Sequence, residues 1–179
     1  FHGKTRSTET VLMKLAILSD IHDALDSLSL ALERASSCDV LLCCGDLCSP
    51  FVIHHLGKGF KGPIHIVFGN NDGDLYRMTQ NSQTYSHLSL HGEMANLLVD
   101  GMRIGMNHYD SIAPHLASSG AFDLVCYGHN HQFHVSQFQQ CHLINPGEIY
   151  GKLTGRSSMV VFDTQDHSVK RVDLDLSAS

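Results

Sequence analysis

Seven side chains able to bind metal close or interrupt the apolar runs of this chain: Asp20 and His22 after the first run, Asp46 after the second, Asn70 after the third, His108 after a later one, and His129 with His131 after another. Carboxylate, imidazole and amide oxygen make a mixed nitrogen and oxygen donor set, which suits Mn, Fe, Zn, Ni or Co better than Ca or Mg alone. Seven donors exceed the need of one ion. Two ions about 3.5–4 Å apart, sharing a bridging carboxylate, would use them all. The short D-x-H and H-x-H spacings have a reason of their own: on an extended segment residues i and i+2 point the same way, so both side chains enter one site. Taken singly, each of these residues is an ordinary cap or turn residue; the reading rests on their joint placement at run ends.

The elements that must position them follow from periodicity. KLAILSD from Lys14 reads as a strand, and Asp26 reads as the N-cap of a helix with Leu28, Leu32 and Ala35 on one face. DVLLCCGD at 39–46 is almost continuously apolar, as expected of a strand covered on both faces. Ser49 and Pro50 suit the N-cap and first position of a helix over FVIHHLGKG, and PIHIVFGN at 63–70 is a third strand. Asp100-Gly101 divides two strand-like runs as a hairpin. A weak helix at 112–118 precedes the strand FDLVCYGHNH, and four further strand-like runs follow, with a turn at Gln165 and Asp166. The alternation argues for an α/β layered fold whose strand ends share one rim, where loops are free to carry function.

A chain of 179 residues suits one domain, here expected over 13–179, with residues 1–12 as a leader or N-terminal extension. The formal charge of −6 disfavours stable nucleic-acid binding. The six Cys lack the spacing of a thiolate zinc site and read as small core residues in a reducing compartment. No apolar run is long enough to span a membrane and no secretory signal is present, so a soluble, cytoplasmic protein is expected. Of the fourteen His only four fall in the ligand pattern.

The ordered pieces Asp20-Ile21-His22, Gly45-Asp46, Gly69-Asn70-Asn71-Asp72, His108 and Gly128-His129-Asn130-His131, with Asn145-Pro146-Gly147 near the end, resemble the calcineurin-like metallophosphoesterases, in particular the small bacterial and archaeal phosphodiesterase branch. The resemblance runs from Lys14 to Leu176. It implies a four-layer α/β sandwich with two mixed sheets flanked by helices. It implies that Asp20, His22 and His131 bind a first metal, that Asn70, His108 and His129 bind a second, and that Asp46 bridges them. It further implies two divalent transition-metal ions, manganese first among them, and hydrolysis of a small phosphate ester by a metal-bridging hydroxide. The ions would also reconcile a negative chain with an anionic substrate.

Two positions depart from the family pattern. Asn71 stands where many relatives have His, and an amide cannot deliver a proton to a leaving oxygen. Asp110 stands two residues past His108 where relatives usually have a second His. Asn71, Asp72 and Asp110 are therefore the expected supporting or substrate-contacting residues, with Asp72 orienting a neighbour rather than binding metal. Two other functions use the same sequence features: a non-catalytic scaffold like the retromer subunit of this fold, and a plain metal-storage or sensing protein. A homodimer is the assembly expected.

Overall fold

The computed structural model describes residues 13–175; the leader expected at 1–12 and Leu176 lie outside the described residues. The elements run β1 (Lys14–Leu18), α1 (Leu25–Arg34), β2 (Val40–Cys43), α2 (Phe51–Gly59), β3 (Ile64–Ile66), α3 (Leu75–Ser82), β4 (Leu88–Leu90), β5 (Met94–Val99), β6 (Met102–Asn107), α4 (Ala113–Ser118), β7 (Leu124–Cys126), β8 (His134–Phe138), β9 (Cys141–Asn145), β10 (Ser158–Asp163) and β11 (Val169–Asp173). They form a six-stranded sheet in the order β11-β10-β1-β2-β3-β4 and a five-stranded sheet in the order β5-β6-β7-β9-β8. Both are mixed. β1 to β4 are parallel neighbours and β10 is antiparallel to β1, while β6, β7 and β9 are parallel and β5 and β8 run antiparallel at the edges.

Side-chain alternation along the strands builds the layers. Ala16, Leu18, Leu41, Cys43, Ile64 and Ile66 face α1, α2 and α3 and pack on Leu28, Ala31, Val52, Ile53, Leu56 and Met78. Leu15, Ile17, Val40 and Leu42 point the other way and meet Ile104, Met106, Leu124, Cys126 and Ile144 of the second sheet. Val125 and Leu143, on the far face of that sheet, cover Ala113 and Ala117 of α4. The four layers are thus helices, sheet, sheet and helix. Each large aliphatic fully removed from water here stabilises by about 1.5–3 kcal/mol. All six Cys are unpaired thiols.

Several local expectations need correction. α1 starts at Leu25, so Ala24 is its N-cap and Asp26 sits in the first turn, where its charge still favours the helix N-terminus. α2 has Pro50 at its N-cap; Ser49 lies before it and its hydroxyl donates to Asp23 at 2.6 Å. The strands are also shorter than their apolar runs, β3 ending at Ile66 rather than Asn70. α3 and β4 were not expected. α3 is mostly polar and buries Met78 and Ser82, so its apolar stripe is too thin to register as a periodicity, although its cap Asp74 accepts from the Arg77 N–H.

One pH effect arises in this framework. His65 of β3 and His91, just past β4, join Nδ1 to Nε2 at 3.0 Å, which requires one nitrogen to donate and the other to accept. Burial, and for His65 also the neighbouring His91, lowers the basicity of both below the ordinary value of 6.5. The unfolded chain then binds protons that the folded one refuses, so this contribution is fully present above about pH 6.5 and is lost as the pH falls below it. The urea midpoint is expected to drop between pH 7.5 and pH 5.5, and His91→Asn should flatten that slope. Equal slopes in the two proteins would exclude the pair as its source.

Candidate metal centre

Five loops, each following a strand of one sheet or the other, meet at one edge. The loop after β1 is fastened to the loop after β2, because the N–H groups of Ile21 and His22 both donate to the Asp46 carbonyl, at 2.9 and 3.0 Å. The loop after β2 is fastened to the loop after β3 by Asp72, whose carboxylate accepts the N–H groups of Asp46 (3.1 Å), Cys48 (2.9 Å) and Gly69 (2.7 Å). From the second sheet, the Gly128 N–H donates to the His108 carbonyl at 3.0 Å, and the His129 N–H donates to the Asp20 carboxylate at 3.1 Å. The site therefore straddles both sheets rather than lying on the rim of one.

The D-x-H and H-x-H pairs converge by a route other than an extended segment. Asp20, His22, Asp46, His129 and His131 have φ of 54°, 43°, 55°, 74° and 61°. These are left-handed conformations that side chains other than glycine adopt at a cost of order 1–3 kcal/mol and that cluster at functional sites. Left-handed turns, not strand pleating, aim both members of each pair inward. Glycines make the space: a Cβ on Gly128 would stand 1.9 Å from Ser19 Oγ and 2.6 Å from Asp20 Oδ2, and one on Gly69 would stand 2.2 Å from Asp46 Oδ1.

The seven predicted donors are brought together around Asp46 and Asp20. Asp46 Oδ2 lies 3.4 Å from both His22 Nε2 and His108 Nε2, and Asp20 Oδ1 lies 3.5 Å from His131 Nε2 and 3.9 Å from His22 Nε2. On the second-sheet side, His129 Nδ1 is 2.9 Å from Asn70 Oδ1 and 3.3 Å from His108 Nε2. In the neutral rings the inward Nε2 atoms of His108 and His131 are acceptors. His108 Nδ1–H donates to the Cys44 carbonyl at 2.7 Å, and His131 Nδ1–H donates to Glu148 at 2.5 Å, which leaves each Nε2 with its lone pair. His22 Nε2 is buried and has no hydrogen-bond partner among the described residues. A buried polar atom without a partner costs free energy that a bound cation removes. Asp20, His22, Asp46 and His131 each offer one donor atom within 4.8 Å of the others and can hold a metal ion.

The electrostatics suit the same purpose. Burial pushes the Asp46 carboxyl up, but the facing His108 ring when protonated, and the Asn71 side-chain and backbone N–H groups that donate to it, outweigh burial and hold the group well below the carboxylate range, so it stays ionised. Asp20 is raised, chiefly by burial, against the opposing pull of His108 and His131. Two buried carboxylates facing four imidazoles are unstable neighbours without positive charge between them.

The three supporting residues all turn toward the protein. The Asn71 amide donates to Asp46 Oδ2 at 2.8 Å instead of standing free toward a ligand. Asp72 spends its carboxylate on the backbone bonds described above. Asp110 accepts from Asn130 Nδ2 at 3.2 Å, which ties the His108 loop to the 128–131 loop. Two residues at the centre were not anticipated. Glu148, fully buried, holds His131 with one oxygen and the Leu153 and Thr154 N–H groups and the Thr154 hydroxyl with the other. Cys48 Sγ lies 3.4 Å from His22 Nδ1. The one available signal for Glu148 was an acidic residue directly after Asn145-Pro146-Gly147.

Comparison with known proteins places this geometry. Residues 13–167 match the calcineurin-like phosphoesterase superfamily domain. The phosphodiesterase MJ0936 of Methanocaldococcus jannaschii is 28% identical over 167 residues, covering 91% of this chain and all of that protein. A solved structure of an archaeal phosphodiesterase aligns with a TM-score of 0.85 at 28% identity, over 90% of this chain and 100% of that one. A single mutant of Vps29 from Entamoeba histolytica aligns at 0.62 with 19% identity, over 91% and 100%, a likeness of fold alone. With the matched domain spanning most of its length, the chain belongs to the calcineurin-like phosphoesterase superfamily.

Proposed function

We propose that the protein is a dinuclear metal-dependent phosphodiesterase acting on a small phosphate ester. The observation that carries this reading is the gathering of Asp20, His22, Asp46 and His131 within 4.8 Å, with His108 against Asp46, His129 linking His108 to Asn70, and His22 Nε2 buried without a hydrogen-bond partner among the described residues. Asp20, His22 and His131 would hold one cation, Asn70, His108 and His129 the other, and Asp46 would serve both; manganese is the first candidate, with Fe, Ni, Zn and Co as alternatives. When bound, such a pair supplies Lewis acidity, neutralising phosphoryl oxygens and acidifying the attacking water to near neutrality.

The residues of the chain do the remaining work. Glu148 and the Cys44 carbonyl fix the tautomers of His131 and His108. Asn71 and His108 keep Asp46 ionised. Asp72 and Asp110 lock the loops whose left-handed turns aim the donors. No side chain named here offers a proton to the departing oxygen, because the Asn71 amide is engaged with Asp46 and cannot act as an acid. The leaving group must then carry its own charge away, which favours acidic leaving groups.

The test is elemental analysis of the purified protein, followed by hydrolysis of bis-p-nitrophenyl phosphate and of alkyl monoesters with added Mn. Two equivalents of metal and kcat/KM for the aryl diester at least about 100-fold above the monoesters are expected, since general-acid help is worth about 100- to 10,000-fold. A monoester preference would remove Asn71 as the reason. Absence of hydrolysis with every metal would favour the scaffold reading that the Vps29 likeness brings in, against which the complete donor set weighs.

A further inference from the structure

Next to His22, the described residues from Asp23 to Ser27 and from Tyr150 onward line an open cleft of about 710 Å³, within the range of small-molecule sites. Tyr150 belongs to both places. Its N–H donates to the Asp20 carbonyl at 2.9 Å, its ring centre lies 5.3 Å from that of His22, and its side chain walls the cavity. The opposite face of the connection is equally built. Glu148 grips His131 with one oxygen and residues 153 and 154 with the other, so the segment carrying Lys152 and Arg156 to the cavity wall is tied to a candidate ligand.

The lining chemistry is mixed, and the balance is informative. Lys152 and Arg156 supply donors, and no ion pair among the described residues engages either. Of the acidic residues, Asp173 is held by Arg171 at 2.8 Å and Asp23 by the Ser49 hydroxyl at 2.6 Å, while the Asp26 and Asp175 carboxylates face the cleft with no side-chain hydrogen bond or ion pair among the described residues. Carboxylates repel a polyphosphate and accept from hydroxyls; an aromatic wall takes a flat ring. Lys152 Nζ stands 5.8 Å from the Tyr150 ring centre, near the outer limit of a cation–π contact, so this exposed side chain yields the face readily.

Resting on the phosphodiesterase reading above, we infer that this cavity receives the retained ester arm of the substrate, and that this arm is ribonucleoside-like: a planar ring against Tyr150, vicinal hydroxyls toward Asp26 and Asp175, and no further phosphate chain. The substrate class is then a nucleoside phosphodiester.

The test compares two diesters with the same leaving group, adenosine 5′-(p-nitrophenyl phosphate) and methyl p-nitrophenyl phosphate, so that chemistry at phosphorus is held constant and only the retained arm changes. The ratio of their kcat/KM values is expected to exceed about 100, to fall about tenfold or more in Tyr150→Ala, and to persist in Tyr150→Phe, which keeps the ring. Separately, adenosine titrated into the metal-free full-length chain should bind in calorimetry and lose that binding in Tyr150→Ala. A ratio near one, or a ratio unmoved by Tyr150→Ala, overturns the cavity assignment while leaving the phosphodiesterase reading intact. Failure to cleave either diester with any metal overturns the phosphodiesterase reading instead, and adenosine binding to the metal-free chain then decides the cavity by itself.

Discussion

Asp46→Asn is expected to lower diester turnover by about a thousandfold or more and to reduce bound divalent metal from two equivalents to one or none, with the fold retained. On the proposed dinuclear reading Asp46 would serve both cations, and its Oδ2 lies 3.4 Å from His22 Nε2 and from His108 Nε2. An amide keeps its shape but supplies one neutral oxygen where two anionic ones stood, and several kcal/mol of transition-state charge stabilisation would depend on the cations it is proposed to hold. About 4 kcal/mol corresponds to about a thousandfold in rate. The fold should survive because the backbone of Asp46 also fastens the neighbouring loops, through its carbonyl to Ile21 and His22 and its N–H to Asp72, and these bonds are untouched. Asn71 loses one of two accepting oxygens, which costs about 1–3 kcal/mol, but repulsion between Asp46 and Asp20, one of the causes raising Asp20, is relieved. Elemental analysis, turnover of bis-p-nitrophenyl phosphate and the melting curve of the metal-free protein read the three effects separately. Two equivalents of metal with turnover within tenfold of the parent would show that Asp46 is not shared.

How much of this was legible in sequence depends on whether a residue breaks a pattern. Asp20 and Asp46 are conspicuous because they end nearly continuous apolar runs, and the runs themselves report strands buried on both faces, as Leu15 through Leu18 and Val40 through Cys43 are. The order of helices and strands, α3 and β4 apart, followed from the same periodicities; of the six Cys read as core residues, four are buried, while Cys38 and Cys48 are half-buried. α3 escaped because two buried positions in eight leave no stripe to see. The geometry joining Asp20 to His22 and His129 to His131 was misassigned because spacing alone cannot distinguish a pleated strand from a left-handed turn; both bring i and i+2 to one side.

Direction of the side chains was the larger omission. Asn71 has the right type and position to touch a substrate, yet its amide is drawn to the nearest strong acceptor, the Asp46 carboxylate. The high His content was a weak signal for a related reason. Many of the remaining imidazoles pair locally, as His65 does with His91, His54 with Tyr85 and His134 with Tyr127, and composition does not separate these from ligands.

Glu148→Ala should weaken metal binding by about 10- to 100-fold and destabilise the protein by about 2–4 kcal/mol, a double effect that follows from the two ends of one carboxylate. The first oxygen holds His131 Nδ1 at 2.5 Å and so keeps Nε2 turned inward as an acceptor; outer partners of metal-binding imidazoles are typically worth that much affinity. The second oxygen accepts three donors, and removing it leaves the Leu153 and Thr154 N–H groups without their partner in a part-buried loop, while the Thr154 hydroxyl can turn to the Arg156 carbonyl at 3.2 Å. Burial alone would raise the Glu148 carboxyl, but bonds from Thr154 and His131 outweigh it and hold it below the ordinary range, so the folded state prefers the charged form. Glu148→Gln separates the two contributions. Its amide oxygen can serve Thr154 and restore most of the stability, while its NH₂ cannot accept from His131, so metal affinity should stay low. Metal titrations and melting curves of both variants check this division. If Glu148→Ala bound metal as tightly as the parent, His131 would owe its orientation to packing on His22, whose ring stacks on it at 5.0 Å, and not to Glu148.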